Sequence, residues 1–334
     1  AGAIAIGGPG AVFWMWISAL LGMCTKFSEV TLAVHFHERN ANGDLVGGPM
    51  YYIKNGLKKH WHWLAYLFSA FGVLTVFGTG NATQVNTITT AIDSALYNYD
   101  IISKESASTL NLIIGIVLAA LIALILLGGI KRIGQVTEKL VPFMAVMYIL
   151  LALGVVIVNF KAIPGVFGAI IEGAFNPSAV TGGVIGSFFL SMKKGVSRGI
   201  FSNEAGIGSA PIAAAAAQND SPAKQGLISM MGTIIDTLII CTMTGLTIVI
   251  TDSWNVGLDG VDVTTRAFQQ GLPFSSSIAS FILMVCLVFF AFTTILGWDY
   301  YSERCLEYLI GQKPKAIKVY RWIYSQLEKQ PEKV

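Results

Sequence analysis

Long runs of apolar residues alternate with short polar connections along most of the chain. A helix needs about 20 predominantly apolar residues to cross the hydrocarbon core of a bilayer. Seven runs are long enough, so the pattern predicts an all-α polytopic membrane protein with about seven full transmembrane helices. These predicted spans, S1 to S7, cover residues 11–36, 64–90, 109–127, 140–158, 180–217, 226–250 and 274–297.

The fifth span, S5, is too long for one straight helix and is interrupted by polar residues. Its middle carries glycines, a proline and charged side chains, at Lys193, Lys194, Gly195, Arg198, Gly199, Glu204, Gly206, Gly208 and Pro211. We expect two half-helices joined by an unwound segment, which is tolerated at membrane depth only where it lines a polar cavity. Freed carbonyl groups then bind cations and half-helix N-termini attract carboxylates. A re-entrant or interfacial loop with surface charges is the alternative.

The composition supports a protein whose partner is the lipid bilayer. The 334 residues are 54% hydrophobic and 12% charged, with a mean hydropathy of +0.65, whereas soluble domains carry about 25% charged residues. A net charge of +3 without a basic face argues against binding nucleic acid. The spacing of cysteines and histidines predicts neither a disulfide framework nor a metal cofactor. The spans contain no combination of nucleophile and base that would indicate an enzyme.

Lysine and arginine are distributed unevenly between the connections. Fifteen fall on the side of the S1–S2 connection and the C-terminal tail, and three fall on the opposite side. Cytoplasmic connections are enriched in these residues, so we expect a cell-membrane protein with the S1–S2 loop and the C-terminus in the cytoplasm. Residues 313–334 contain no spanning run. We therefore divide the chain into a transmembrane domain, 1–312, and a polar cytoplasmic tail, 313–334.

Polar side chains inside the spans are candidates for a binding site, because they are costly in lipid. Asn81 and Gln84 in S2 are three residues apart and share a helix face. They either bind the polar groups of a small solute or form hydrogen bonds between helices. Asp236 in S6 either helps to bind or relay a cation or pairs with a buried cation such as Arg198.

The end of S7 offers three oxygen atoms on one helix face. The carbonyl of Phe290 and the hydroxyls of Thr293 and Thr294 follow the spacing i, i+3 and i+4. Hard oxygens of this kind suit a small desolvated cation, but threonines within helices often donate to a carbonyl of the preceding turn. The spacing alone favours the second interpretation.

Four stretches of sequence resemble signatures of the alanine/glycine:cation symporter family. They are residues 7–14 (GGPGAVFW), 47–53 (GGPMYYI), 201–211 (FSNEAGIGSAP) and 293–298 (TTILGW). The resemblance implies the leucine-transporter-type fold, in which two inverted repeats of five helices surround a central site and helices 1 and 6 are broken. On that map S5 is the broken helix 6, and the chain is a fragment that lacks most of helix 1 and helices 9 and 10.

The resemblance also implies which residues bind the substrate. Gln84, Phe201 and Trp298 match positions around the amino acid, where the two bulky rings favour alanine or glycine over larger side chains. The remaining substrate-binding candidates are Asn81 of S2 and, beside Phe201 in the S5 break, Ser202 and Asn203.

The implied function is secondary active transport, in which a small neutral amino acid such as alanine or glycine enters with Na⁺ or, alternatively, with H⁺. Thr293, Thr294 and the Phe290 carbonyl match a sodium site shared across the fold, and this resemblance reverses the interpretation from spacing alone. Asp236 is a further cation candidate, and no other cofactor is implied. The competing hypothesis is a truncated remnant of such a symporter that does not transport.

Overall fold

The computed structural model is almost entirely helical and describes residues 1–327 apart from 42, 100–106, 127–128, 177–187, 220, 259 and 312. The first α-helices are α1 (Gly2–Gly7), α2 (Gly10–His35), α3 (Pro49–Gly56), α4 (Trp63–Thr75), α5 (Thr83–Asn98), α6 (Ala107–Leu126) and α7 (Gly129–Val158). They are followed by α8 (Ile163–Phe175), α9 (Phe188–Asn203), α10 (Ala210–Ala214), α11 (Pro222–Thr233), α12 (Thr242–Ile250), α13 (Gly260–Gly271), α14 (Ser276–Ile310) and α15 (Pro314–Leu327). Strands β1 (Glu38–Arg39) and β2 (Leu45–Val46) form a short antiparallel pair in which Glu38 lies opposite Val46.

Six helical stretches within the described residues are long and apolar enough to cross a membrane. They are Gly10–His35, Lys59–Tyr97, Ser108–Leu126, Arg132–Val158, Pro222–Ile250 and Ser276–Ile310, and they coincide with S1 to S4, S6 and S7. The described part of S5 is interrupted, as expected. The all-α polytopic fold class is therefore confirmed. Predictions for residues 180–187 of S5, for Leu127 at the end of S3 and for residues 328–334 of the tail lie outside the described residues.

Two of these long stretches contain a π-helical segment. Val76–Ala82 joins α4 to α5, and Ile234–Cys241 joins α11 to α12. A π turn widens the helix and shifts its hydrogen bonding by one residue, and such turns occur frequently at functional sites. The first segment contains Asn81 and the second contains Asp236, so both of these predicted site residues lie on irregular turns.

The contacts divide the chain into two compact units. Unit 1 comprises residues 1–27, 145–207 and 227–284. Its helices approach each other through small residues, as is common between membrane helices. A Cβ atom added to Gly195 of α9 would lie 2.4 Å from the carbonyl oxygen of Ala11 in α2. The buried apolar core of this unit includes Ile4, Val12, Val166, Ile170, Leu246, Ile248 and Val263.

Unit 2 comprises residues 28–144, 208–226 and 285–334. Its buried core includes Ile88, Ile122, Leu126, Ile295, Leu296 and Tyr324. Tyr324 belongs to α15, within the predicted tail, and its hydroxyl donates a hydrogen bond of 3.1 Å to the carbonyl oxygen of Ile295. The described part of the tail therefore forms a helix that packs on this core, while the division at residue 312 stays a prediction.

Candidate functional site

The interruption of S5 lies between α9, which ends at Asn203, and α10, which begins at Ala210. Three residues of the connecting segment have positive φ angles: Glu204 at 55°, Gly206 at 83° and Gly208 at 88°. Glycine adopts this conformation readily, but for a glutamate it is strained. The surrounding contacts must therefore stabilise the turn that ends α9.

Asn203 is the centre of the contacts that stabilise this turn within unit 1. Its side chain is buried, with 6% of its surface exposed. Its Nδ2 donates to Thr237 Oγ1 over 3.1 Å, and its Oδ1 accepts from the Ala205 backbone N–H over 3.0 Å. The Lys26 ammonium donates to the main-chain oxygen of Asn203 over 2.9 Å. One residue thus joins α2, the end of α9 and the π-helical segment before α12.

The Asp236 carboxylate extends the same network. Its Oδ1 accepts from Ser202 Oγ at 3.0 Å, and its Oδ2 accepts from Thr237 Oγ1 at 2.8 Å. The Ser202 hydroxyl also lies 3.4 Å from the Cys241 sulfur. The described residues contain no ion pair between Asp236 and Arg198, the partner considered from sequence, because the hydroxyl groups hold the carboxylate. We call Lys26, Ser202, Asn203, Asp236 and Thr237 the break network.

Phe201 lies next to this network and leaves 39% of its surface exposed. The Arg198 guanidinium, one helical turn earlier, lies 5.9 Å from the centroid of the Phe201 ring. A cation over an aromatic face is attracted by the ring quadrupole. The ring is therefore oriented by its own helix and remains available for contact on its exposed part.

The threonines of α14 show a different arrangement in unit 2. The Thr294 hydroxyl donates to the Phe290 carbonyl over 2.8 Å, and the Thr293 hydroxyl lies 2.9 Å and 3.1 Å from the carbonyl oxygens of Phe289 and Phe290. The three predicted oxygens do converge, but both hydroxyl protons point toward carbonyls of the same helix. A cation at these atoms requires the hydroxyl protons to turn away, and the predicted sodium role stays a prediction.

The π-helical turn of S2 that contains Asn81 packs against Trp298 in unit 2. A Cβ atom added to Gly80 would lie 2.6 Å from the Trp298 Cβ, so the tryptophan packs directly against the π-helical turn. Asn81 is fully buried and its Nδ2 donates to the carbonyl oxygen of Tyr324 over 3.2 Å. This contact matches the second interpretation of the S2 amides, hydrogen bonding between helices. Gln84 lies one turn further along, half-buried.

The sequence did not identify Lys26, Thr237 and Cys241 as members of one cluster with the S5 break. Lys26 and Asn203 are 177 residues apart, and Asn203 and Thr237 are 34 residues apart. No spacing rule within one helix connects such positions. The available signal was the presence of an ammonium group inside S1 and of a threonine beside Asp236, since intramembrane polar groups take partners.

One ion pair outside the spans fixes the connection between α2 and α4. Lys54 donates to both Glu38 oxygens, at 2.8 Å and 3.0 Å, and Asn55 donates to Glu38 Oε1 at 2.8 Å. Partial burial by itself raises the pKa of Glu38, but the hydrogen bonds from Lys54 and Asn55 outweigh it and hold the pKa below the ordinary 4.5. The carboxylate is therefore charged near neutral pH.

Long apolar helices with one interrupted span, whose break is lined by a polar network, are typical of a membrane transporter of the secondary type. The profile of the Sodium:alanine symporter family matches residues 1–327. The chain belongs to this family, whose members are transporters and not enzymes.

Individual relatives agree with this assignment. An uncharacterized transporter of Haemophilus influenzae is 48% identical over 328 residues, which cover 97% of this chain and 68% of that protein. The sodium/alanine symporter AgcS of Methanococcus maripaludis is 44% identical over 96% of this chain and 67% of its own length. The probable sodium/glutamine symporter GlnT of Bacillus subtilis is 39% identical over 96% of this chain and 63% of its own length. The chain thus spans about two thirds of the length of these relatives.

Proposed function

We propose that this protein carries a small neutral amino acid, alanine or glycine, across the cell membrane together with Na⁺. The observation that carries the proposal is the break of S5, where main-chain groups freed from the helix are held by the break network. Family membership supports the same conclusion, as does the 44% identity to a protein named a sodium/alanine symporter.

In unit 1 we assign substrate contact to Phe201, Ser202 and Asn203. The exposed part of the Phe201 ring supplies an apolar surface that suits a methyl group or a hydrogen atom in place of a larger side chain. The Ser202 hydroxyl and the main-chain groups of the break supply polar partners for the ammonium and carboxylate of an amino acid.

In unit 2 we assign substrate contact to Gln84 and Trp298, the roles that the family resemblance implies. The indole of Trp298 is supported by Gly80 and by Tyr301, whose ring centroid is 5.7 Å away in an edge-on arrangement. Asn81 is assigned a lesser role, because its amide already donates to the Tyr324 carbonyl.

We assign the coupling cation to Thr293, Thr294 and the Phe290 carbonyl. These are hard, uncharged oxygen atoms that already converge on one helix face. Hydroxyl and carbonyl oxygens can replace the hydration shell of a small cation once the hydroxyl protons turn outward. Asp236 is the second cation candidate, because its half-buried carboxyl group offers two further oxygen ligands beside the break.

We also propose that the connection between α2 and α4 and the C-terminal tail lie in the cytoplasm. The asymmetry of lysine and arginine supports this orientation.

The proposal is tested by uptake into proteoliposomes that contain the purified 334-residue chain. Radiolabelled alanine is offered under an inward Na⁺ gradient, under a choline gradient, and under a pH gradient without Na⁺. We expect accumulation only with Na⁺, with competition by unlabelled glycine and weaker competition by glutamine. Accumulation driven by the pH gradient alone would assign the coupling to H⁺, and stronger competition by glutamine would overturn the substrate assignment.

A further inference from the structure

The geometry points to Lys26 as an internal, covalently attached cation that holds the S5 break in its binding conformation. We propose that it is a positioning residue of the transport site, acting through Asn203 and not through contact with the substrate. Its effect on transport rests on the function proposed above, whereas its effect on the break does not.

The Lys26 ammonium group lies at the C-terminal end of α9. Lys26 is buried in unit 1, with 7% of its surface exposed, and its Nζ lies 2.9 Å from the carbonyl oxygen of Asn203, the last residue of α9. The last four carbonyls of a helix have no partner within that helix, and the helix dipole adds partial negative charge there. An ammonium group provides both the missing donor and the opposite charge.

One face of α2 is shaped to fit the break. Gly22 lies one turn before Lys26 and therefore on the same face. A Cβ atom on Gly22 would lie 3.2 Å from the Ala205 Cβ and 3.8 Å from Asn203 Oδ1. The Thr25 methyl lies 3.2 Å from the position of a Cβ on Gly206. The connecting segment is thus held against α2, with Lys26 as the charged contact.

A chain of hydrogen bonds connects Lys26 to the proposed substrate residues. The amide of Asn203 bridges the Ala205 N–H and the Thr237 hydroxyl. Thr237 in turn donates to Asp236, which accepts from Ser202. The orientation of Ser202, and of Phe201 beside it, therefore depends on the main-chain geometry that Lys26 fixes.

The charges of the network lead to the same conclusion. The Lys26 ammonium and the Asp236 carboxylate attract each other, and an isolated charge of either sign is costly inside a membrane span. The positive charge of the ammonium, which donates to the Asn203 carbonyl, disfavours a transported cation at that oxygen. The threonines of α14 therefore suit the coupling ion better than this carbonyl does.

The test compares Lys26→Ala with Lys193→Ala, which removes an exposed cation from α9. A hydrogen bond to a charged group contributes enough that we expect Lys26→Ala to reduce alanine uptake about tenfold or more, mainly through a higher KM. Lys193→Ala should keep the wild-type values. Propylammonium, which replaces the missing atoms, should restore uptake, whereas tetramethylammonium, which has the charge but no N–H donor, should not. Wild-type KM in folded Lys26→Ala, or equal rescue by both cations, would overturn the proposal.

A second measurement does not need transport. Cys241 is half-buried and lies beside Ser202, while Cys286 is buried in the same chain. We expect a membrane-permeant maleimide to label Cys241 several-fold faster in Lys26→Ala than in wild type, with Cys286 unchanged. If Lys26→Ala does not fold, Lys26→Met, which keeps most of the side-chain volume but removes both the donor and the charge, is used for the KM and labelling measurements without the propylammonium rescue, and the same outcomes are expected. Unchanged labelling of Cys241 in a folded variant would contradict the role of Lys26 even if the wild-type protein transports nothing.

Discussion

The break network of unit 1 and the two threonines of α14 in unit 2 form their hydrogen bonds in opposite ways. In the break network, every polar side chain bonds to a partner on another segment. The Asn203 amide bonds to Thr237, 34 residues away, and the Lys26 ammonium bonds to the main-chain oxygen of Asn203, 177 residues away. In α14, Thr293 and Thr294 bond to carbonyls three and four residues earlier in their own helix. The geometry of the first group is a product of tertiary packing, whereas any α-helix with this sequence would contain the second.

The two groups therefore differ in how easily they can exchange hydrogen-bond partners. Removing one member of the break network leaves buried donors or acceptors unpaired, and this is more costly than the hydrogen bond itself contributes. The threonine hydroxyls can turn without moving the backbone, because the Phe290 carbonyl does not depend on them for its place in the helix. A rigid network suits the positioning of a substrate, and rotatable hydroxyls suit an ion that binds and leaves.

The largest effect is expected from Asn203→Ala. It leaves the Ala205 N–H without its acceptor and removes the hydrogen bond that Thr237 Oγ1 accepts, so we expect a loss of about 1–3 kcal/mol in the free energy of unfolding and loss of most alanine uptake. Thermal unfolding in detergent and proteoliposome uptake measure the two effects. The matched control is Ser197→Ala, at an exposed position of the same helix. An Asn203→Ala protein with the stability and uptake of the control would show that the network is not rigid.

The next effect is on ion dependence. Thr293→Val keeps the shape of the side chain but removes the hydroxyl, and we expect the Na⁺ concentration for half-maximal uptake to rise about tenfold. The melting temperature should change little, because the bonds lost are those within the helix and one long contact of 4.0 Å to the Met144 sulfur. Thr293→Ser, which keeps the hydroxyl, should retain the Na⁺ dependence. Equal Na⁺ dependence in the valine and serine variants would remove Thr293 from the ion site.

A smaller effect separates two glycines of one π-helical segment. A Cβ on Gly80 meets Trp298 at 2.6 Å, while a Cβ on Gly78 meets nothing within 4 Å. Gly80→Ala should lower the free energy of unfolding by about 1–3 kcal/mol through overpacking and displace the indole, which tryptophan fluorescence can detect. Gly78→Ala should leave both unchanged. Similar behaviour of the two variants would contradict the close contact between Gly80 and Trp298.

The smallest effect concerns the ion pair between Lys54 and Glu38. Because the pKa of Glu38 is lowered in the folded protein, its stabilising contribution is present above the ordinary value of 4.5 and is lost as the pH falls through the lower folded value. Exposed ion pairs contribute about 0–1 kcal/mol, so Glu38→Gln should lower the melting temperature slightly near neutral pH. The two melting curves should converge in strong acid. A gap that widens on acidification would mean that the pKa of Glu38 is not lowered.

The hydrophobic pattern was sufficient to predict the long membrane-spanning helices and the interruption of S5. Runs of apolar residues depend only on bilayer thickness, and Gly206 and Gly208 mark the turns that no other residue adopts easily. The partners within the break network were not predictable, because they depend on how distant helices pack. Asn81 shows the same limit, since its hydrogen bond goes to Tyr324, in a segment expected to be a polar tail.

Equilibrium binding of radiolabelled alanine, with and without Na⁺, distinguishes a sodium-coupled symporter from a protein that does not transport. If the chain is a sodium-coupled symporter, Na⁺ must tighten alanine binding, and alanine must tighten Na⁺ binding by the same factor. We predict saturable alanine binding that is stronger in Na⁺ than in choline. Folded protein that binds no alanine in either salt would contradict sodium-coupled alanine transport and favour a remnant that does not transport.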